Sequence, residues 1–578
     1  MKLRRLHIHN VRSIIDADIE VNDYTMIVGA NNAGKSNVLA ALRLFYDDIK
    51  WSADDVPKAG APSDDESWVE LRFELSEGEW ATLADKYKEG ATDRLLTVRR
   101  YFVSKDRVKT NQSNLYGLVK GELADEQFYG AKNVSTAKVG RVIYIPALTT
   151  ASDQMKTTGP SPLRDMLNFM LKRVVSESAA YKAVEEAFGK LNAEAQGGNG
   201  FLNKIVQPIN QAIDQWGISF QMSITPVSPE DITKNLVKHA FADAVLGDAA
   251  FALDRYGHGF QRSFLYELIK LAPSFADGKK TDKKEFDPEF TLILFEEPEA
   301  FLHPAQQENM AYHLRRLGSG DCQQVIITSH SPIFVGKGAD DLCQIVRARR
   351  NGGTTVLGQV GRAECVSVFA DGLALKACLQ AFVDDPSIPD PLKEEAKRML
   401  RSSTADEEIA AQEERFRYQL WLDSDRAAMF FADRVLLVEG ATEGALFSWL
   451  LARDWHDLTR HRIAVVDVLG KYNFHRYMAL LERFGIPYGL ILDDDDEKTH
   501  HKAVNEMLRH RSVQHRLAAP VFIPRHLEAF LGLTLPGRDD LKPVQVMKAL
   551  EAATLEAEKL NALRNKFCEA LALSQASA

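Results

Sequence analysis

Short apolar runs recur along the chain and predict buried β-strands. Such runs occupy residues 24–28, 291–295, 324–328, 434–438, 463–466 and 488–492. They lack the alternation of a half-exposed strand, whereas SWVELRFEL at 67–75 alternates and is typical of an edge strand. Amphipathic segments such as SNVLAALRLF and NFHRYMALLERF predict helices between them. After residue 434, strands separated by helices predict a parallel sheet, so the pattern is that of an α/β protein.

The sequence GANNAGKS directly follows the first apolar run and precedes an amphipathic helix. Strand, glycine-rich turn, Lys-Ser and helix is the context that a P-loop requires, because glycines let backbone N–H groups close around phosphate oxygens at a helix N-terminus. Lys35 is expected to reach the β- and γ-phosphates of ATP, and the Ser36 hydroxyl to ligate Mg²⁺. The predicted nucleotide-binding residues of this loop are Gly29, Asn31, Asn32, Ala33, Gly34, Lys35, Ser36 and Asn37.

Two later strand ends carry groups that suit the same nucleotide. Glu296 and Glu297 follow the run at 291–295 in the form of a Walker B motif. Glu296 would hold Mg²⁺ through water, and Glu297 would position the attacking water. His330 lies just past the run at 324–328, where it can touch the γ-phosphate. A Glu-Glu pair after a strand is often only a polar strand end, but in this combination it favours ATP hydrolysis.

Five carboxylates follow the last of the apolar runs, in the segment GLILDDDDE. Residues two apart on a strand share a face, so Asp493 and Asp495 point the same way. Two charges ~4 Å apart repel by about 1 kcal/mol in water and ~4 kcal/mol at an effective dielectric of 20. Glu439 ends another strand, and the ends of parallel strands meet at one edge. These carboxylates predict a one- or two-metal site for Mg²⁺ or Mn²⁺; the simpler alternative is a solvated acidic loop.

Motifs in the first part of the chain resemble those of a known ATPase group. LRRLHIHNVRSI, the P-loop with its NNAGKSN tail, GHGFQR and EEPEAFLHP resemble the ABC ATPases of the RecF, SMC and Rad50 group, and within it the OLD (overcoming lysogenisation defect) family. GHGFQR stands where that group has its signature loop, although the usual serine is absent. The resemblance implies that Gly257 and Gly259 bind ATP held by a partner subunit, and therefore at least a homodimer. Glu296 replaces the usual aspartate.

The C-terminal part resembles the Toprim fold of topoisomerases, primases and OLD nucleases, on the arrangement VEGATE, strand, DDD. The resemblance implies that Glu439 acts as an acid/base group or a metal ligand. It implies that the aspartate pair Asp493 and Asp495 holds metal, with Asp494 and Asp496 as the alternative after a one-residue shift.

The same resemblance assigns further residues of this part. Glu443 matches a second acidic position of OLD nucleases, and Glu528 in HLEAFL matches a later metal ligand. The family pattern also expects a lysine that steadies the cleaved phosphate. Lys566 and Lys542 both qualify.

Length and composition agree with several folded domains. The chain has 578 residues, which is longer than one ordinary domain. Of these residues 45% are hydrophobic, as in folded proteins with apolar cores. We expect an ABC-type P-loop ATPase domain at 1–375, a helical linker at 376–425 and a Toprim domain with a parallel sheet at 426–578. A helical insertion at about 155–235, broken at GGNG, fits either a dimerisation arm or ordinary core helices.

Composition also restricts the partners. Five cysteines without CxxC spacing argue against a disulfide framework, and the lack of an apolar membrane-spanning run or signal peptide predicts a cytoplasmic protein without a membrane partner. The net charge of −10 gives no global attraction for nucleic acid. However, HHKAVNEMLRHRSVQHR places Lys502, Arg509, Arg511 and Arg516 beside the aspartates, which suits a phosphodiester chain. The alternative is a basic helix face that balances the aspartates.

An ATPase joined to a Toprim metal site is the OLD architecture, which the nuclease subunit of the Gabija antiphage system and retron-associated effectors share. The resemblance implies a metal-dependent DNA endonuclease, nicking or cutting both strands, that an ATPase regulates in antiphage defence. It implies ATP and Mg²⁺ or Mn²⁺ as cofactors, and a homodimer or tetramer with a helicase or other defence partner. The alternative is a RecF- or SMC-like ATP-dependent DNA clamp whose Toprim module is not catalytic.

Overall fold

The computed structural model describes most of the chain. The described residues are 1–62, 64–90, 93–130, 138–147, 175, 178–196, 200–222, 224, 241–243, 249–251, 255–256, 260, 264, 267–268, 271, 286–288, 290–300, 302–336, 338–365, 372–401, 416–417, 420, 422–494, 499–511, 513–534 and 538–574. Within these ranges, no helix combines the length and the apolar character that a bilayer crossing requires.

The strands and helices are labelled in chain order. The strands are β1 (Lys2–Val11), β2 (Ile14–Glu20), β3 (Tyr24–Val28), β4 (Ser67–Glu74), β5 (Leu95–Val103), β6 (Leu115–Val119), β7 (Glu122–Gln127), β8 (Arg141–Ile145), β9 (Phe241–Asp243), β10 (Ala249–Phe251), β11 (Thr291–Glu296), β12 (Gln323–Thr328), β13 (Ile345–Asn351), β14 (Thr354–Gln359), β15 (Arg434–Val438), β16 (Ile463–Asp467), β17 (Tyr488–Asp493) and β18 (Val521–Ile523). The helices are α1 (Lys35–Phe45), α2 (Glu77–Thr82), α3 (Ala179–Gln196), α4 (Phe201–Ile213), α5 (Pro304–Gly318), α6 (Gly372–Asp384), α7 (Asp390–Arg401), α8 (Ser424–Ala427), α9 (Ala441–Arg453), α10 (Phe474–Arg483), α11 (Thr499–His510), α12 (Leu527–Leu531), α13 (Lys542–Glu551) and α14 (Ala557–Ala570).

The chain forms two compact units, and the first consists of residues 1–2, 76–83 and 137–325. In it, β11 pairs in parallel with β8, and every residue of β11 from Thr291 to Phe295 is buried. The insertion contributes α3 and α4, which agree with the helical pattern of the sequence on either side of GGNG. Residues 155–174 and 225–235 of the predicted insertion lie outside the described residues.

The second unit consists of residues 3–75, 84–136 and 326–578. One of its sheets has the order β2-β1-β4-β5-β6-β7, with antiparallel pairing of β1 with β2 and from β4 through β7. The prediction of an edge strand at 67–75 is wrong, because β4 lies between β1 and β5. The alternation of apolar and polar residues in β4 indicates that one face of the strand packs inward, but it does not indicate how many strands lie beside it.

The P-loop strand β3 lies inside another sheet of this unit. It pairs in parallel with β13, which pairs antiparallel with β14, and its other neighbour is the end of β12. All five residues of β3 are buried, which is the continuous apolar pattern of a strand covered on both faces. The following helix α1 buries Val38, Leu42 and Phe45, as its amphipathic pattern predicts.

The last sheet of the second unit has the order β16-β15-β17-β18 and is parallel throughout, so the predicted parallel sheet is confirmed. Helices α9 and α14 cover one face, where Phe447 and Phe567 pack in one core cluster with Leu436 and Ile491 of the strands. The crossover helices α9 and α10 connect β15 to β16 and β16 to β17, as parallel strands require. This connectivity places the carboxyl ends of all four strands at one edge.

The helices before this sheet, α6 and α7, bury part of their surface. Leu379 and Phe382 of α6 and Ala396 of α7 are buried. Cys378 of α6 donates from Sγ to the carbonyl oxygen of Ala503 in α11 at 3.6 Å. Helices α6 and α11 therefore pack together.

Candidate functional site

The acidic residues of the candidate site follow the carboxyl ends of adjacent parallel strands. Glu439 comes directly after β15, and Asp493 is the last residue of β17. The register pairs Val438 with Ile491, so the two strands end close together at the same level of the sheet. The sequence analysis expected this meeting of Glu439 and Asp493, and the parallel order of β15 and β17 explains it.

A lysine that the sequence analysis missed lies between these two residues. Lys471 is 2% exposed, donates from Nζ to the carbonyl oxygen of Asp493 at 2.6 Å, and lies 3.8 Å from Oε2 of Glu439. The preceding Gly470 donates its N–H to the carbonyl oxygen of Glu439 at 2.7 Å. The signal was available in principle, because Lys471 lies in the loop after β16, at the same edge as the other strand ends.

Glu443 lies in the first turn of α9, directly after Glu439 in the chain. It is 7% exposed, and its Oε2 accepts the backbone N–H of Gly440 at 3.1 Å. Burial raises the pKa of Glu443 to about 7, and the negative charges of Glu439 and Glu528 add to the increase. The carboxylates of Glu439 and Glu528 therefore act electrostatically on Glu443.

Glu528 reaches the site from α12. It is 4% exposed, and its Oε2 lies 3.1 Å from Nδ1 of His526, the residue that also caps the helix. The same Nδ1 accepts the backbone N–H of Ala529 at 3.2 Å, so His526 lies directly beside Glu528 at the start of the helix.

A fourth acidic strand end takes a different role. Asp467, the last residue of β16, pairs with the guanidinium of Arg426, which also donates from Nε to the Asp467 carbonyl oxygen at 3.0 Å. This ion pair fixes α8 to the end of β16. Asp467 is thereby separated in role from the glutamates.

The donor set suits a hard divalent cation. Carboxylate oxygens from Glu439, Glu443, Asp493 and Glu528 are the ligands that Mg²⁺ and Mn²⁺ prefer, and repulsion among buried carboxylates is relieved by a cation. Among the described side chains, no three carboxylate, imidazole or thiol groups already converge into a complete metal site. Asp495, which the sequence assigns to this site, lies outside the described residues, as does the alternative Asp496.

The backbone after β17 is held firmly as far as Asp494. Its N–H donates to the carbonyl oxygen of Ile523 at 2.9 Å, and its carbonyl oxygen accepts from Nδ2 of Asn505 at 3.0 Å. These bonds fix where the acidic run leaves the sheet. They do not distinguish the pair Asp493 and Asp495 from the pair Asp494 and Asp496.

The two lysines expected to steady the cleaved phosphate lie on the last helices. Lys566 in α14 donates from Nζ to the carbonyl oxygen of Phe522 in β18 at 2.8 Å, next to the strand that carries Asp493. Lys542 is the first residue of α13. Phe522 pairs in register with Leu492, so this hydrogen bond links Lys566 to the end of β17.

Some basic side chains of the segment after the aspartates make contacts within the protein. Arg516 donates to the carbonyl oxygen of Leu508 at 2.7 Å, and Arg509 forms an ion pair with Glu506. The guanidinium of Arg509 also lies 4.7 Å from the centre of the Phe522 ring. Lys502 is exposed on α11. Helix α11 and the residues after it therefore have a structural role, in addition to the predicted binding of phosphates.

The P-loop has the geometry that its glycines predict. Gly34 has φ 99°, and a Cβ atom there would lie 1.9 Å from Oγ1 of Thr355. Gly29 has φ 143°, and its Cβ would lie 2.2 Å from the carbonyl oxygen of Ala348. Strands β13 and β14 therefore press so closely on the loop that only glycine fits at both positions.

Lys35 and the polar residues behind the loop hold its shape. Lys35 is 7% exposed and donates from Nζ to the carbonyl oxygens of Gly29 and Ala30 at 3.0 and 3.1 Å. Thr355 donates from Oγ1 to the carbonyl oxygen of Ala33 at 3.0 Å, and Asn37 donates from Nδ2 to the hydroxyl of Ser13 at 2.6 Å. The predicted loop residues Asn31, Asn32 and Ser36 are exposed.

The other predicted nucleotide residues are placed as follows. In the first unit, Tyr144 of β8 donates from its hydroxyl to Oε2 of Glu296 at 2.7 Å, and Glu297 takes a positive φ of 45° directly after β11. In the second unit, His330 follows Ser329, whose N–H donates to the carbonyl oxygen of Ile27 in β3 at 3.2 Å. Gly257 and Gly259 lie outside the described residues.

Family models match both parts of the chain. The AAA ATPase domain model matches residues 1–138 and 164–335, which is more than half of the chain. The model of the overcoming lysogenization defect protein-like TOPRIM domain matches residues 430–495, which include Glu439, Lys471 and Asp493.

Curated relatives match over most of their length. The Old nuclease of Escherichia phage P2 is 22% identical over 86% of this chain and 77% of its own. The OLD nuclease of Thermus scotoductus is 22% identical over 98% of both chains, and the Endonuclease GajA of Bacillus cereus strain VD045 is 22% identical over 88% of this chain and 78% of its own.

The predicted order of domains is confirmed by these matches, together with the P-loop between β3 and α1 and the parallel sheet of β15 to β18. The chain belongs to the AAA ATPase domain family, and joins this ATPase to an overcoming lysogenization defect-like TOPRIM domain.

Proposed function

We propose that the protein is a metal-dependent DNA endonuclease whose ATPase module regulates cutting. The observation that carries the proposal is buried Lys471, which joins Glu439 and Asp493 at the ends of two parallel strands, together with the burial of Glu443 and Glu528. Solvated acidic loops do not need a buried lysine or buried carboxylates, so the arrangement favours a site built for cations. Relatives named nucleases over most of the chain support the same function.

Each residue of the site has a proposed role. Glu439, Asp493, Asp495 and Glu528 would hold the metal, and Glu443 is the further acidic residue of the catalytic set. When bound, Mg²⁺ or Mn²⁺ supplies a Lewis acid that activates water and stabilises the leaving oxygen of a phosphodiester. Lys471 keeps the ends of β15 and β17 in place through Glu439 and the Asp493 carbonyl, and His526 orients Glu528.

The ATPase part has the proposed ligands of MgATP. Lys35 and the backbone of Gly29–Ser36 would bind the phosphates, Ser36 and Glu296 the Mg²⁺, and Glu297 and His330 the region of the γ-phosphate. Gly257 and Gly259 would complete the site from a second subunit, so we propose a homodimer or a tetramer. The sequence motifs and the P-loop geometry support this assignment.

The substrate and setting rest on the family. DNA is the proposed substrate because relatives are named endonucleases, and antiphage defence with a helicase or other partner follows from the resemblance to the Gabija nuclease subunit. Lys502 on the exposed face of α11 is placed to meet DNA phosphates.

Incubation of the full chain with supercoiled plasmid tests the function. We expect nicked or linear DNA with Mn²⁺ or Mg²⁺, none with EDTA, and none from Glu439→Gln. Reactions with and without ATP measure the regulation. ATP-dependent DNA binding without strand breaks at any metal concentration would contradict the nuclease and support a clamp.

A further inference from the structure

One buried arginine lies between the P-loop strand and the strands of the metal site. Arg347 is 4% exposed and belongs to β13. Its backbone pairs in register with Val28, the residue immediately before Gly29 of the P-loop, and on the other side with Gly358 of β14. A displacement of the P-loop strand therefore acts directly on the position of Arg347.

The side chain of Arg347 reaches the parallel sheet of the TOPRIM domain. Its Nη2 donates to the carbonyl oxygen of Ala432 at 2.8 Å, and its Nη1 donates to that of Gly485 at 3.4 Å. Ala432 precedes β15, which leads to Glu439, and Gly485 precedes β17, which leads to Asp493. One guanidinium thus contacts the entry of both strands that carry the candidate metal ligands.

The contact of Arg347 with these carbonyl groups is close, and it requires the burial of a charged group. Burial and, to a smaller extent, the charge of Arg349 lower the pKa of Arg347 to about 10, while Asp433 opposes both. A Cβ atom on Gly358 would lie 3.1 Å from the carbonyl oxygen of Phe484, so the backbone of β14 also meets this turn at short range. An apolar side chain would fill the space without a buried charge, whereas the planar guanidinium has donors spread widely enough to reach carbonyl groups ahead of two different strands.

We propose that Arg347 couples the nucleotide state of the P-loop to the geometry of the metal site. Nucleotide binding repositions β3 and β13, and the Arg347 fork carries that shift to the starts of β15 and β17. The separation of Glu439 from Asp493 then depends on the nucleotide. This inference rests on the proposed function, since it names the route by which the ATPase regulates cutting.

Coupling between two sites is reciprocal, which makes the idea testable by binding alone. If nucleotide changes the affinity for DNA at the metal site, DNA changes the affinity for nucleotide by the same factor. Such factors are typically about 5- to 150-fold. The factor is measured by titrating a fluorescent, non-hydrolysable ATP analogue into the full chain with and without a DNA duplex, in an Asp493→Asn background that leaves the DNA intact.

Three variants separate the fork from charge and from folding. Arg347→Met removes both donors, Arg347→Lys keeps the charge but replaces the fork by one ammonium group, and Arg350→Met removes an exposed arginine from the same strand. We expect Arg347→Met to bring the coupling factor to within about twofold of one, and Arg350→Met to leave it unchanged. Plasmid cleavage by Arg347→Met and Arg347→Lys in the native background should lose its response to ATP, with ATP-independent cleavage and nucleotide affinity retained, whereas Arg350→Met should respond to ATP like the native chain.

The outcomes distinguish this inference from the proposed function. An unchanged coupling factor in Arg347→Met would overturn the role of Arg347 and leave the nuclease intact. So would a variant that loses thermal stability and all activities together, because Arg347 would then be structural only. A native chain that shows nucleotide–DNA coupling but never cuts DNA would contradict the proposed nuclease, while the loss of that coupling in Arg347→Met and Arg347→Lys would still support the inference.

Discussion

The Nζ atom of Lys471 lies 3.8 Å from Oε2 of Glu439 and donates to the carbonyl oxygen of Asp493 at 2.6 Å. A single buried ammonium group therefore joins the ends of two strands that carry candidate metal ligands. It offsets part of the repulsion among the carboxylates and fixes the backbone of one of them. Lys471 acts through Glu439 and Asp493, so it is a positioning residue.

Replacement of Lys471 by methionine should weaken cutting through loss of that positioning. Loss of a residue that orients metal ligands typically costs about 10- to 100-fold in activity or metal affinity. We expect plasmid cleavage by Lys471→Met to fall in this range, with nucleotide affinity unchanged. Lys548, which is exposed on α13, provides the matched lysine control. Equal cleavage by Lys471→Met and the native chain would remove Lys471 from the site.

Neutral variants of the acidic strand ends should abolish metal uptake. Glu439→Gln and Asp493→Asn keep the size of each side chain but remove the charge that attracts Mn²⁺. We expect calorimetry to show saturable Mn²⁺ binding by the native chain. In either variant the Mn²⁺ affinity should fall by more than the factor of about 10 to 100 that is typical when a residue that only supports a metal ligand is lost.

Asp433 offers a matched control for these variants, because it lies at the opposite end of β15 and pairs with Arg462. Asp433→Asn should bind Mn²⁺ like the native chain. If Asp433→Asn and Glu439→Gln reduced uptake equally, the metal would not lie at the carboxyl edge of the sheet.

Replacement of Lys35 by alanine should separate nucleotide binding from the metal site. Lys35 is buried in the P-loop, and a hydrogen bond to a charged group contributes about 1.5–3 kcal/mol, which corresponds to about 10- to 100-fold in affinity. We expect ATP binding by Lys35→Ala to weaken by this factor, while Mn²⁺ uptake stays native. Lys50, which is 81% exposed at its side chain and pairs with Asp47, supplies the control substitution. Loss of Mn²⁺ uptake in Lys35→Ala would refute this division of labour.

Much of the candidate site was predictable because the relative direction of the strands follows from local patterns. The apolar runs before Glu439 and Asp493, with helices between them, dictate a parallel sheet, and a parallel sheet gathers its carboxyl ends. By contrast, Lys471 lies in a short loop without periodicity, so only its topological position could indicate it. The same rule that located Glu439 would have located Lys471 if it had been applied to the loop after β16.

The contacts of Arg347 could not be predicted from the sequence. Its hydrogen-bond partner Ala432 is 85 residues away in the chain, and no local pattern reports such a contact. The wrong edge assignment of β4 has a related cause, since alternation records burial of one face and long-range pairing decides the neighbours of a strand. Both depend on tertiary packing that periodicity does not encode.

The pH dependence of stability should report His475, a buried residue of α10. It is 1% exposed, and burial, with the positive charges of Arg476 and Arg511, holds its pKa well below the usual value. Above about pH 6.5 the histidine is neutral in both the folded and the unfolded chain, so it contributes no pH dependence there. Below that pH the unfolded chain takes up a proton that the folded chain refuses, and the free energy of unfolding decreases as pH falls.

The decrease should approach about 1.4 kcal/mol per pH unit for this one group. Denaturant titrations at pH 7, 6 and 5 measure it, and His475→Leu should show a shallower slope because the leucine does not titrate. His510→Gln is the control, since His510 is 77% exposed at its side chain and lies on the surface of α11. If the free energy of unfolding of His475→Leu fell with pH as steeply as that of the native chain, His475 would be protonated inside the folded protein. The acid sensitivity would then belong to other groups.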